Sequence, residues 1–318
     1  MFVDSMNSNS MFVDSMMKIL AAILMLLVSF AGFSCTPDQE APFDEAAWME
    51  EVEAWHTDRI ESLQQDDSWL TLAGFFWLDE GRNIFGSGPG NDLRFDIEGA
   101  PERMGSFMVD GDEIRVEIED GLDITVDGQP AREALIYSKE MDDTPVMEWE
   151  SLNWYVIERS GGYAIRLRDR EHPMLSQFSG IDRYPVSADW RVKADFIPFD
   201  TPKNLTVPNY IGEPTQEQIL GALEFEINGE THRLYPIADR LDERFFVIFA
   251  DETNRTETYS GGRFVYTDPP DENNIVYIDF NKSYNPPCVF SEFATCPLPP
   301  PENRLSLAIE AGELEFVK

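Results

Sequence analysis

The sequence predicts a mainly β protein: an N-terminal helix, a β-sandwich, and then a larger antiparallel β-domain built as a sandwich or barrel. Three observations carry this. One stretch near the start, FDEAAWMEEVEAWHTDRIESLQ (43–64), spaces its apolar residues as a helix does. Short stretches of alternating apolar and polar residues then recur almost to the C-terminus. Asp-Gly and Asn-Gly pairs punctuate them.

In the first stretch Trp48, Val52, Trp55, Ile60 and Leu63 fall on one side, acidic residues lie opposite, and Asp44 is placed to cap the N-terminus. The block WLTLAGFFWL (69–78) follows and ends in the turn signal Asp79-Glu80-Gly81. Its aromatic residues and those of the helix read as core. Strands are expected at 106–109, 114–118, 122–126, 154–158, 163–168, 222–227, 244–249, 263–266 and 275–280. The turns at Asp110-Gly111, Asp127-Gly128 and Asn228-Gly229 supply the positive φ that tight hairpins need. Many short strands at close spacing indicate sandwiches or barrels. One short helix is expected over 215–220, and a domain boundary near 147, in KEMDDTPVMEWE.

A chain of 318 residues with 42% hydrophobic and 12% aromatic content can bury a substantial core. Its formal charge is −36. So acidic a surface repels phosphate backbones and anionic headgroups, which argues against nucleic-acid binding and against electrostatic adhesion to lipid. The basic residues are 18 Arg and 6 Lys. Abundant carboxylates with scarce lysine are a pattern of salt-adapted surfaces, whose mutual repulsion is relieved by screening.

The N-terminus reads as a processing segment. MFVDSM occurs at 1–6 and again at 11–16, too short to be a structural repeat. Met17-Lys18 and the apolar run ILAAILMLLVSFAGF then form an export signal, short for a membrane span. Residues 1–35 are therefore assigned to leader, signal peptide and the lipobox-like Cys35, and 36–42 to a tether. Acylation of Cys35 would fix the protein to the cell envelope, at the outer membrane or cell surface; an ordinary secretory peptide would leave it secreted or periplasmic. The sequence leaves the oligomeric state open.

GFFWLDEGRNIFGSGPGNDLRF, RLRD, DETNRTETYSGGRFVY and DFNKSYNPPCVFSEFATCPLPPPENRLSLAIEAGE together resemble the domain of unknown function 1684 family, from about Trp48 onward. That resemblance implies kinship and names no activity. Within it, GRNIFGSGPGNDLRFDIEGAP is similar to the opening hairpin of a forkhead-associated (FHA) sandwich, which makes 43–147 the helix plus an FHA-like β-sandwich and 148–318 the larger β-domain. The arginine that would pair with a phosphothreonine is missing after Gly86, and no Ser-x-x-His follows. Phosphopeptide binding is therefore not carried over.

The sequence contains no Gly-x-Ser-x-Gly elbow, Walker loop, His-Glu-x-x-His or helix-opening Gly-x-Gly-x-x-Gly. No motif implies a cofactor or a metal. Of the three histidines, His172 is best placed for a site, after a strand and before a proline, although a plain loop histidine explains it as well. Cys288 and Cys296 are expected to form a disulfide in an oxidising compartment. Free structural thiols and a catalytic or metal-binding pair are the alternatives, the second weakened by a spacing outside zinc-site practice.

The polar residues around those cysteines are the candidate site. Asp279, Asn281, Lys282, Tyr284 and Asn285 enter a stiff proline-rich loop, and Glu302, Asn303 and Arg304 leave it. Arg166, Arg168 and Asp169 end one strand; Tyr259 and Arg263 flank a Ser-Gly-Gly turn. Convergence of these strand ends would give a pocket for a small polar or anionic ligand or a glycan. Asp279 with Glu302 could instead serve a glycoside or ester hydrolase as an acid–base pair. A purely structural envelope component is the third reading, because Arg–carboxylate pairs also stitch β-loops together.

Overall fold

From Glu113 to Ile118 side chains alternate strictly, Ile114, Val116 and Ile118 buried and Glu113, Arg115 and Glu117 exposed. That is how a strand with one wet face must behave. The computed structural model in which this strand sits describes residues 43–159 and 162–317. The leader, the apolar run, Cys35 and the tether up to residue 42 lie outside the described residues.

The chain is mainly β. It begins with a helix, α1 (Glu45–Leu63), that buries Trp48, Val52 and Leu63. A 3₁₀ turn at Trp69–Thr71 then leads into a sandwich. Its strands are β1 (Leu72–Trp77), β2 (Gly81–Gly86), β3 (Leu93–Arg94), β4 (Gly105–Asp110), β5 (Glu113–Ile118) and β6 (Thr125–Val126). They continue with β7 (Gln129–Pro130), β8 (Glu133–Ser138), β9 (Met147–Trp149), β10 (Leu152–Arg159) and β11 (Gly162–Asp169). One sheet runs β1-β11-β10-β9-β6-β7 and the other β3-β2-β4-β5-β8. Their inner faces share one core, in which Phe85 stacks on Phe107 at 4.4 Å and Phe95 meets the edge of Trp154 at 5.6 Å.

The boundary expected near 147 falls inside this sandwich, because β9, β10 and β11 complete the sheet begun by β1. From Glu45 onward the chain is one unit.

A short helix, α2 (Pro173–Gln177), opens the second half. The strands that follow are β12 (Arg191–Val207), β13 (Thr215–Ile227), β14 (Glu230–Leu234), β15 (Phe245–Phe249), β16 (Arg263–Thr267) and β17 (Ile275–Asp279). A four-stranded sheet, β14-β13-β12-β17, faces the pair β15-β16. Strand β15 is wedged between two apolar clusters, sending Phe245, Val247 and Phe249 into one and Phe246 and Ile248 into the other. This explains its unbroken apolar sequence FFVIF.

The helix expected over 215–220 is instead the start of β13, where Thr215 to Ile219 pair with Val207 to Lys203 across an antiparallel ladder. So short a stretch cannot offset helix nucleation alone, and cross-strand pairing decides the outcome. The Asp127-Gly128 and Asn228-Gly229 turns have the positive φ expected of them.

Candidate functional site

Trp55, Asp58, Arg59 and Ser62 recur at intervals of three and four, so they share one face of α1. Four contacts hold that helix against the proline-rich loop and the C-terminal segment. Trp48 Nε1 donates to Asp279 Oδ2 at 2.8 Å. Arg59 donates to the Asn285 carbonyl and to Glu313, each at 3.1 Å. Lys282 pairs with Glu51.

A cavity of about 410 Å³ opens where this face meets the loop, lined by Trp55, Asp58, Arg59, Ser62, Trp69, Arg244, Tyr266, Lys282 and Tyr284. Three cations and four aromatic rings thus surround it, with a single carboxylate on its wall. The Arg59 guanidinium lies 4.9 Å from the Tyr284 ring centre, and that of Arg244 lies 5.0 Å from the Tyr266 ring centre. Burial, and after it the neighbouring Tyr266, push the Tyr284 phenol well above its usual range. It therefore remains a neutral donor that an anion can approach. Such a lining suits a small anion carrying a flat or sugar ring.

A second cavity of about 270 Å³ shares Trp69, Tyr266 and Tyr284 with the first, and adds Arg159, Arg166, Phe246, Phe264 and Thr295. Arg166 is buried, and burial lowers its pKa against the support of Tyr155.

The residues singled out in the sequence divide into three groups. Lys282 and Tyr284 line the first cavity, and Arg166 and Tyr284 the second. A larger group is consumed by structure. Arg263 pairs with Asp251 at 2.7 Å and donates to the carbonyl of Ile309 at 2.9 Å. Asn281 bridges the backbone of Ser187 and bonds Asp279. Asn285 receives Glu313 on its N–H and bonds the Leu314 carbonyl, and Asn303 holds the backbone of Tyr235 and Ile248. Arg168 clamps Ser68 and Thr71, Asp169 caps the N–H of Glu171, and Tyr259 packs against a small apolar cluster that includes Phe290. Finally, Glu302 and Arg304 are exposed at the far end of the loop.

Asp279 and Glu302 are thus not brought together in either cavity, since Asp279 is buried against Trp48 and Asn281 while Glu302 faces solvent. His172 caps α2, its Nδ1 accepting from Met174 N at 3.2 Å. Cys288 and Cys296 form a disulfide with Cα atoms 6.1 Å apart. Among the described residues no group of three or more His, Cys, Asp or Glu is arranged to hold a metal ion, and no helix is long and apolar enough to cross a membrane.

Sequence reasoning missed Trp55, Asp58, Arg59, Ser62, Trp69, Arg244 and Tyr266. The helical four carried a readable signal, a single face mixing an aromatic ring with charges and a hydroxyl. Arg244 and Tyr266 are brought together only by the β15–β16 register, which pairs Phe246 with Tyr266.

Among solved structures, the chain is similar to an uncharacterized protein of Haloarcula marismortui, with 30% identity over 44% of this chain and 78% of that one (TM-score 0.37). It is also similar to an FHA domain studied for phosphothreonine-dependent interactions, at 23% identity over 29% of this chain and 79% of that domain (TM-score 0.20). No curated protein matches. The profile described as "Protein of unknown function (DUF1684)" matches residues 176–314, a span that includes Arg244, Tyr266, Lys282, Tyr284 and the disulfide. Through that region the chain belongs to the DUF1684 family.

Proposed function

We propose that the protein binds a small anionic ligand bearing a flat or sugar ring in the cavity between α1 and the 279–304 loop. The observation that carries this reading is a contrast. A chain of net charge −36 surrounds this cavity with Arg59, Arg244 and Lys282 against Asp58 alone. Lys282 and Arg59 have carboxylate partners in Glu51 and Glu313, but Arg244 has none within ion-pair distance among the described residues. It is the cation available to a ligand, and Trp55, Trp69, Tyr266 and Tyr284 offer faces against which a ring stacks. The Cys288–Cys296 bridge supports the site by stiffening the loop that supplies two of its walls.

Benzoate and its neutral isostere benzamide test the reading by NMR-detected titration. Benzoate should bind about ten-fold more tightly than benzamide, and Arg244→Gln should abolish the preference. Equal binding of the two, or binding of neither, would overturn the reading and favour a structural envelope component.

The place of action is proposed alongside. A lipid on Cys35 would hold the protein at the envelope, and the disulfide supports an oxidising compartment. The intact mass of the mature protein decides: a diacyl or triacyl cysteine at the new N-terminus is expected, and an unmodified or absent Cys35 would remove the anchor.

A further inference from the structure

The second cavity holds two guanidiniums that converge on one point. Arg159 Nε lies 3.1 Å, and Arg166 Nη2 3.4 Å, from the same Thr295 hydroxyl oxygen. Neither arginine has a carboxylate within ion-pair distance among the described residues. Arg166 is only 6% exposed, and its buried Nε has no hydrogen-bond partner there. Burial, and to a lesser degree the charge of Arg159, lower the Arg166 pKa.

Burying one cation beside another without a counter-ion is costly. The chain has 60 Asp and Glu with which to avoid that cost, yet none lines this cavity. Besides Thr295, the rest of the wall is Trp69, Phe246, Phe264, Tyr266, Tyr284, Cys296 and two prolines, mostly apolar surface that strengthens the attraction of a guanidinium for an anion.

We infer that this cavity receives a second anionic group, a carboxylate or a phosphate, at the far end of the same ligand. The inference rests on the reading of the first cavity as a site for an anion with a ring, and it narrows the ligand class to elongated dianions. Trp69, Tyr266 and Tyr284 line both cavities, so the ligand's middle lies against these rings while its ends meet Arg244 on one side and Arg159 and Arg166 on the other.

Benzoate has one anionic end; terephthalate and the longer biphenyl dicarboxylate have two. By calorimetric titration of the full protein, at least one dicarboxylate should bind about ten-fold or more tightly than benzoate. Arg166→Gln should erase that preference. Arg159→Gln, at an exposed position, should reduce it and keeps the test intact where Arg166→Gln fails to fold. Benzoate binding without any gain for either dicarboxylate would overturn this inference and leave the proposed function standing. A gain untouched by both substitutions would also overturn it, by placing the second anion elsewhere. Failure of all three probes to bind would overturn both readings together.

Discussion

Arg263 Nη2 lies 2.7 Å from Asp251 Oδ2, and both side chains are wholly shielded from water. The same guanidinium donates to the backbone carbonyls of Ile309 and Ala311, which pins the C-terminal segment over β16. Arg263 is thus a rivet that joins strand, loop and tail. Arg263→Gln should destabilise the protein by roughly 3–5 kcal/mol, the usual result of stranding one partner of a buried ion pair. Urea unfolding of the variant measures it, and a loss within the range of a surface substitution would contradict the assignment.

Arg263 and Arg166 also show how far the sequence could be read. Both lie in strands, both are buried, and both looked like ligand contacts. The mainly β fold, the N-terminal helix and most strand positions followed from alternation and turn chemistry, which are local. Whether a buried arginine meets a carboxylate depends on which distant segment folds over it. Arg263 meets Asp251, twelve residues away around a turn, whereas Arg166 meets no carboxylate among the described residues and bonds Thr295, from a loop more than a hundred residues away. The first cavity was half legible for the same reason: Lys282 and Tyr284 belong to a conspicuous motif, while Trp55 sat in an apolar stripe that core packing explained and Arg59 lay beside it.

The exit of the proline-rich loop separates structure from surface at adjacent positions. Asn303 accepts from Tyr235 N at 2.7 Å and donates to the carbonyls of Tyr235 and Ile248 at 3.0 and 2.9 Å, while Glu302 is exposed. Asn303→Ala leaves buried backbone groups unpaired and should cost about 2–3 kcal/mol. Glu302→Gln should stay within about 0.5 kcal/mol. Paired denaturation curves distinguish these outcomes, and benzoate affinity should be the same in Glu302→Gln as in the parent.

The disulfide closes a short loop that contains Thr295. Replacing Cys288 and Cys296 with serine together should lower stability by roughly 2–3 kcal/mol through the freed entropy of the unfolded chain. The effect should reach the second cavity, because Thr295 is the hydroxyl on which Arg159 and Arg166 converge. The double variant should therefore lose more affinity for a dicarboxylate than for benzoate. Equal losses would mean that the bridge supports the fold without shaping that cavity.

His56 gives the fold an acid-sensitive component. Burial, and next the charge of Arg183, lower its pKa from the ordinary 6.5. Between the folded and unfolded values the unfolded chain binds more protons, so stability rises with pH there. The contribution is intact above about 6.5 and is lost as the pH falls toward the folded value. Melting temperatures at successive pH values should fall less steeply for His56→Gln than for the parent on the acid side. Parallel curves would show that His56 does not couple to folding.

Salt should act on stability and on binding in opposite directions. Sixty carboxylates against 24 basic side chains repel one another across the surface. Raising NaCl from ~0.1 M to ~1 M shortens the screening length from about 10 Å to about 3 Å. That relieves the repulsion and should raise the melting temperature. The same screening weakens the attraction of an anion for Arg244, which lies exposed at the mouth of the first cavity. Benzoate affinity should therefore fall over the range in which the melting temperature climbs. If affinity instead rose in step with stability, burial of the ring against Trp55, Trp69, Tyr266 and Tyr284 would be the main source of binding, and the cations around it would serve the fold rather than the ligand.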